Sequence, residues 1–346
     1  MSNGLTEGLL GPIADDLAEV EARLAGMAAV AGGPLQLLLG RALSTRGKLL
    51  RPALTIASGR LFRQAPAKLG ASPQAPAKLG ASPQAPAGLY AMAAAVECLH
   101  TASLIHDDVI DETLERRGLP SLHASAGGGA AILAGDYLFA QAAATASETN
   151  NLRIMSLFAH CVMTVCSGQI HEHSQDKRAR AHLSRAGYYE TIDAKTAALF
   201  VLACESGAVL GEAPLAASGV LRRFGRDLGL AFQITDDILD LTGDEAIMGK
   251  PAGSDLRQGV MTLPMIYLRD ELPESTLLAA FSGDGERDQA IREITERAGG
   301  SDAIQRARDE ARNLALGARE LLRELPANPY RDVLEGLAAT VVERET

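Results

Sequence analysis

"TDDILD", Thr235 to Asp240, packs three carboxylates into six residues of an otherwise apolar run. "HDDVID", His106 to Asp111, repeats the arrangement earlier in the chain. In each copy the outer aspartates stand at i and i+4: Asp107 with Asp111, and Asp236 with Asp240. On a helix that spacing stacks them on one face, about 5–6 Å apart at Cβ. The middle residues, Asp108 and Asp237, point roughly 100° away from the first. Two effects oppose this placement. Like charges at i, i+4 destabilise a helix. Both clusters also fall near the C-terminal end of the helix predicted for them, where the macrodipole disfavours anions. Aspartates left to local preference would gather at N-caps.

A hard divalent cation offsets both penalties. Mg2+ takes oxygen ligands at about 2.0–2.1 Å, usually one or two carboxylates completed by water and substrate phosphates. Asp107, Asp108, Asp111, Asp236, Asp237 and Asp240 therefore read as metal ligands. On two facing helices they would hold several Mg2+ ions and a polyphosphate between them. A solvated acidic face needs neither two copies nor helices so rich in Leu, Ile and Val.

Such a site requires cations for the remaining phosphate oxygens. Arg116 and Arg117 follow the first cluster, Lys48 and Arg51 lie in "GKLLRP", Lys195 in "DAKTAAL" and Lys250 in "GKPAGSDL". His100 precedes Asp107 by two helical turns on the same face and can donate into the same cavity.

The rest of the composition sets the frame. The chain has 346 residues, 47% of them hydrophobic, which is enough for a large core. Ala, Leu and Gly dominate, aromatics are 4%, Trp is absent and alternating Val/Ile/Thr runs are scarce, so an all-α fold is expected. The net charge of −10, without a basic stretch interleaved with aromatics, argues against nucleic-acid binding. Cys98, Cys161, Cys166 and Cys204 form no CxxC pair and read as small buried residues in a reducing compartment. The N-terminus lacks a basic signal-like region, and the uncharged run Leu24–Gly40 is broken by "GGP" and too short to span a bilayer; a cytoplasmic protein without a transmembrane segment is expected.

"APAKLGASPQ" occurs twice in tandem, at Ala65–Gln74 and Ala75–Gln84. Its prolines and glycine forbid a continuous helix, so residues 63–88 read as a solvated loop insert in one domain spanning residues 1–346. Further helices are expected at Ala130–Ser147, Leu152–His173, Tyr188–Val209 and Leu221–Leu241, with Gly243 as a C-cap and a polar helical tail from Glu274. "HEH" at His171–His173 reads as a solvated helix segment, its histidines diverging by about 200°.

As an ordered set, "GKLLRP", "LIHDDVIDE" with "RRG", "LAGDYL", "KTA", "FQITDDILD", "GKPAGSDL" and "TLP" resemble the trans-polyprenyl diphosphate synthases, the head-to-tail prenyltransferases, from Gly47 to Tyr267. The resemblance implies the isoprenoid synthase fold, with about a dozen helices around a central cavity, and a homodimer. It implies that Asp107, Asp111 and Asp236 coordinate Mg2+ on an allylic diphosphate, with Lys195 as a further catalytic group. Arg116, Lys195, Thr196, Gln233 and Lys250 match positions that hold the same substrate. Lys48, Arg51, His100 and Arg117 match positions that bind isopentenyl diphosphate. The chain departs from the family's "GKxTxP" by reading "GVMTLP", with Val260 at the lysine position, which removes one phosphate contact. Ala102 and Ser103, five and four residues before Asp107, stand where bulky aromatics close the pocket in short-chain members. Their small size implies a linear product of geranylgeranyl size or longer, with Leu138 or Phe139 as the next barrier and transient membrane contact for its release.

Three rivals share part of this pattern. A class I terpene cyclase has a DDxxD helix but needs neither a second copy nor "GKLLRP". A di-iron bundle fits Glu97–His100 as ExxH but wants a second ExxH, which the sequence lacks. A non-catalytic subunit of a two-chain synthase would carry eroded aspartate clusters, and both are intact here. Closure entropy of a loop changes by only about 0.6 kcal/mol per doubling of its length. Deleting residues 75–84 should therefore leave turnover within about twofold of the full chain in a steady-state assay.

Overall fold

The computed structural model describes residues 8–30, 32–44, 49–62, 87–116, 118–174, 176–242, 253–281 and 286–343. The tandem repeat, Lys48, Arg117, Gly243 and Lys250 lie outside them. The described residues are almost wholly helical. The first half comprises α1 (Ala14–Val30), α2 (Gly33–Ser44), α3 (Leu50–Arg60), α4 (Ala87–Ile110), α5 (Leu122–Ala126), α6 (Gly128–Ser147) and α7 (Leu152–Ser174). The second comprises α8 (Lys177–Ala181), α9 (Arg185–Ile192), α10 (Ala198–Leu210), α11 (Leu215–Thr242), α12 (Ser254–Gln258), α13 (Leu263–Leu268), α14 (Glu274–Phe281), α15 (Arg287–Ala298), α16 (Ala303–Leu322) and α17 (Pro329–Val342). One short antiparallel hairpin pairs Glu115 with Pro120 and Arg116 with Leu119, turning at Gly118, whose φ of +75° suits glycine.

Two of these helices hold the acidic clusters and both run through the middle of the molecule. From Leu89 to Leu99 α4 is rich in Ala, Met and Val, and every residue of that stretch is buried, Glu97 among them. α1, α3, α6 and α10 surround it. α11 is flanked by α10, α16 and α17. Its inner face carries Leu221, Phe224, Leu228 and Ala231 into the main core, and Leu230, Ile234, Ile238 and Leu241 into a second core with α13 to α16. α3 and α10 touch backbone to backbone: a Cβ on Gly207 would lie 2.3 Å from the Thr55 carbonyl oxygen, and one on Gly211 2.3 Å from that of Gly59. Glycine at these positions is what lets α3, with Arg51 in its first turn, lie so close to the core.

The expected Tyr188–Val209 helix is interrupted. α9 ends at Ile192, a π-helical turn spans Asp193–Ala197, and α10 follows. The last long helix begins at Leu215, just after Pro214, earlier than expected, because proline is compatible with a helix start. By length and composition α4 and α7 could each cross a bilayer. α4 is a core helix instead, whereas α7 leaves Leu152, Met163 and Ile170 exposed. On α6, Ile132 and Leu133 are exposed as well.

A buried ion pair fastens the N-terminal helix to this frame. Asp16 on α1 accepts from Arg60 Nε on α3 at 3.0 Å and from the Tyr90 hydroxyl on α4 at 2.7 Å. The Arg60 guanidinium also stands 5.9 Å from the Tyr330 ring centroid on α17. Asp16→Ala should cost about 3–5 kcal/mol, because it leaves a buried guanidinium without its carboxylate. The measurement is the shift of the denaturant midpoint at unchanged slope.

Candidate active site

The first cluster closes α4: the helix ends at Ile110, and the Asp111 amide donates to the Asp107 carbonyl at 2.8 Å. The second lies in the last two turns of α11, which ends at Thr242. Both sets of carboxylates thus stand at helix C-termini, as expected. Burial lifts Asp107 to about 6, Lys195 acting against it, Asp111 with it, Arg116 against it and Glu172 with it. Burial also raises Asp111, opposed first by Lys195.

The π turn supplies the opposing cation. An extra residue in a helical turn is frequently found at functional sites, and here it carries Lys195 and Thr196. Lys195 Nζ donates to Glu172 on α7. Burial alone would lower the lysine, but Glu172, then Asp107 and Asp111, outweigh it and raise it. Asp193, at the head of the turn, is clamped by the Arg226 guanidinium at 2.9–3.0 Å. Gly168 lets α7 approach: a Cβ there would lie 2.7 Å from Ala194 Cβ and 3.3 Å from Lys195 Cγ.

These elements enclose a cavity of about 180 Å3 lined by Asp111, Glu172, Lys195, Thr196, Gln233 and Asp237. Residues from both acidic clusters therefore meet in one space. Val260 is part of its wall, so the departure from the family pattern faces the cavity. Arg180 lines the same cavity, and a side chain built on Gly259 would stand 3.8 Å from its Nη1.

The six aspartates are not equivalent. Asp107 and Asp111 share the electrostatics of Lys195 and Glu172. Asp108 is buried on another flank of α4, where it accepts from Arg116 Nε at 2.7 Å and Nη2 at 2.6 Å and lines a separate, largely apolar cavity of about 420 Å3 with Leu24, Leu43 and Ile105. Asp237 is buried, and both its oxygens accept from protein donors. Burial pushes it up to about 7, hydrogen bonds from Tyr188 and Gln233 pull the other way, and Asp236 and Asp240 add to the rise. Asp240 accepts from the Asp255 amide at 3.0 Å, so it also anchors the chain where α12 begins. Asp236 is half-buried.

Of the remaining expected residues, Arg51 is buried, with its guanidinium 4.8 Å from the Phe200 ring centroid. His100 is half-buried on α4. Ala102 is fully buried in the main core, and Ser103 donates to the His100 carbonyl at 2.8 Å. Leu138 is a core residue whose carbonyl accepts from Cys98 Sγ at 3.4 Å, while Phe139 packs against His106 at 5.3 Å between ring centroids. Among the described residues no three His, Cys, Asp or Glu side chains converge into a ready-made metal cage.

The "HEH" segment is the main correction. Glu172 and His173 line the same cavity, Glu172 on Lys195 and His173 Nε2 3.8 Å from Asp111 Oδ1. His171 faces an outer hollow with His160 and Glu190. Helical divergence correctly separated the residues, and only the packing of α7 against the π turn shows which one points inward. Tyr188 was also not singled out; its sole signal was one polar hydroxyl on an otherwise apolar face of α9.

An all-helical frame with two DDxxD helix ends around one cavity defines the polyprenyl synthetase class, whose family model matches residues 34–298. The chain belongs to that family and is a transferase of the chain-elongating polyprenyl diphosphate synthase type. It is 34% identical over 339 residues to heptaprenyl diphosphate synthase component 2 of Geobacillus stearothermophilus, covering 96% of this chain and 97% of that protein. It is 33% identical to octaprenyl diphosphate synthase of Haemophilus influenzae, covering 73% and 77%. The crystal structure of a Caulobacter crescentus CB15 polyprenyl synthase complexed with calcium and isoprenyl diphosphate superposes with a TM-score of 0.85 at 33% identity, covering 99% and 98% of the two chains.

Asp107 must be ionised to hold a cation, so affinity should fall as pH drops through about 6. Calorimetric titration with Mg2+ in the presence of inorganic diphosphate should show at least ~10-fold weaker binding at pH 5 than at pH 7.5. Without cation the sign reverses. A carboxyl whose folded pKa of about 6 exceeds its unfolded value makes the folded state bind the proton more tightly, so Asp107 adds stability as pH falls through 6.

Proposed function

We propose that the protein condenses isopentenyl diphosphate with an allylic diphosphate in a Mg2+-dependent reaction to give a linear all-trans polyprenyl diphosphate. The observation that carries this reading is the single cavity in which Asp111, Lys195, Thr196, Gln233 and Asp237 face one another. Asp107, Asp111 and Asp236 would hold the Mg2+ ions, with Asp108, Asp237 and Asp240 as their inner supports. Bound Mg2+ neutralises charge on the leaving diphosphate. Lys195 and Arg116 contribute cations to the same oxygens, and Arg180 offers a third where Val260 gives none. The allylic C–O bond ionises, the double bond of isopentenyl diphosphate attacks the resulting carbocation, and the proton lost passes to the released diphosphate. No protein base is required. Thr196 and Gln233 present oxygens that ease the positive charge. Lys48, Arg51, His100 and Arg117 would bind isopentenyl diphosphate, and Lys250 the allylic substrate.

The small side chains of Ala102 and Ser103, behind the metal ligands, favour products of geranylgeranyl size or longer. The exposed apolar residues of α6 and α7 support a homodimer through that face, Leu133 being 69% and Met163 61% exposed. Cytoplasmic placement, with brief membrane contact to release product, suits the acidic net charge of −10. The similarity to a heptaprenyl synthase named as component 2 favours a second arrangement, in which this chain is the catalytic member of a two-chain enzyme. A terpene cyclase gains no support from the relatives.

The decisive assay combines purified protein, Mg2+, labelled isopentenyl diphosphate and a panel of allylic primers, with chain length read by chromatography. Linear products are expected, and a cyclic hydrocarbon from an allylic diphosphate alone would sink the reading. Asp107→Ala or Asp236→Ala should lower kcat by about 10³-fold or more, and Ala102→Phe should shorten the product.

A further inference from the structure

Four polar side chains run in line from the second core to the cavity. The buried Tyr188 hydroxyl on α9 donates to Asp237 Oδ2 at 2.6 Å. Asp237 Oδ1 accepts from Gln233 Nε2 at 2.8 Å. Gln233 Oε1 accepts from Thr196 Oγ1 at 2.6 Å. Each link dictates the next. Ionised Asp237 only accepts, and in that state Gln233 turns its NH2 toward Asp237 and its carbonyl toward Thr196. Thr196 must then donate its one proton to Gln233, which leaves its lone pairs for the cavity that it lines. An unconstrained hydroxyl rotates and could as well point its proton inward. Tyr188 and Asp237 are each 3% exposed, so water does not compete for either bond.

We propose that Tyr188 and Asp237 are positioning residues that fix the polarity of Gln233 and Thr196, so that oxygen lone pairs and not protons face the electron-poor carbon of the allylic substrate. The inference rests on the proposed prenyl transfer and deepens it. Asp237 thereby acts through its neighbours, as its twin Asp108 does by gripping Arg116 on the first motif. In each copy of the acidic signature the middle carboxylate is thus held by protein donors, Arg116 on Asp108 and Tyr188 with Gln233 on Asp237.

The test is steady-state kinetics on the full chain. Asp237→Asn supplies an amide that can donate to Gln233 Oε1 and lets the glutamine reverse. It should lower kcat by about 100-fold. The KM for each diphosphate, and the Mg2+ concentration for half-maximal rate, should stay within about threefold. Tyr188→Phe, which removes one oxygen and keeps the volume, should lower kcat by about tenfold by the same pattern. In a Thr196→Ala background, Asp237→Asn should cost less than about twofold more, because the hydroxyl it orients is gone. An equal loss in both backgrounds, or a large rise in the Mg2+ requirement, overturns the proposal and makes Asp237 a structural residue or a metal ligand. Should Asp237→Asn not fold, Tyr188→Phe with and without Thr196→Ala gives the same decision. Wild-type protein that incorporates no isopentenyl diphosphate removes the functional reading and this inference together. Normal wild-type turnover with unaffected variants removes this inference alone.

Discussion

Repulsion between carboxylates held at two helix C-termini is the constraint around which the molecule is arranged. Each cluster is placed where its own charges and the helix dipole oppose it, and burial adds to the cost by lifting Asp107 to about 6 and Asp237 to about 7. The protein answers with cations and donors, most of them brought from other elements. Lys195 comes from a π turn, Glu172 holds that lysine, Arg116 closes on Asp108, and Tyr188 and Gln233 close on Asp237. The described donors do not cancel the charge. What remains is a concentration of negative charge on the cavity side, which the proposed function assigns to a divalent cation.

That arrangement demands a stiff frame. The first half of α4 is buried along its whole length, which anchors Asp107 and Asp111 from the centre of the main core. Backbone contact of α3 with α10, permitted by Gly207 and Gly211, sets Arg51 beside Phe200. Gly168 does the same for α7 and Lys195. Most of the described cavity wall is thus carried by helices, with its precision set by packing.

The Asp107 face of α4 carries Ser103 one turn back and His100 two turns back, whereas the neighbouring Ala102 is fully buried in the main core. One helix thus bears the first acidic cluster at its end and a stretch of the apolar core along its length.

Much of this was legible in the sequence. The spacing of the aspartates, the cations beside them and the scarcity of strand-like alternation depend on local geometry and composition, which a sequence carries directly. The π turn was not legible, because one extra residue in a helix leaves no periodic trace once Lys195 and Thr196 are already expected in one turn. The inward face of "HEH" was not legible either, since every face of an amphipathic helix looks solvated until its neighbours are known. The motif turned Asp108 and Asp237 about 100° from their neighbours but could not show what would pack there: identical side chains acquire different surroundings from the elements that meet them. The sequence by itself determined the helical class and the family likeness, because these follow from residue type and short-range spacing. Only the tertiary structure decided which carboxylates are gripped by protein donors, because that depends on Tyr188 arriving from α9 and Arg116 from the hairpin.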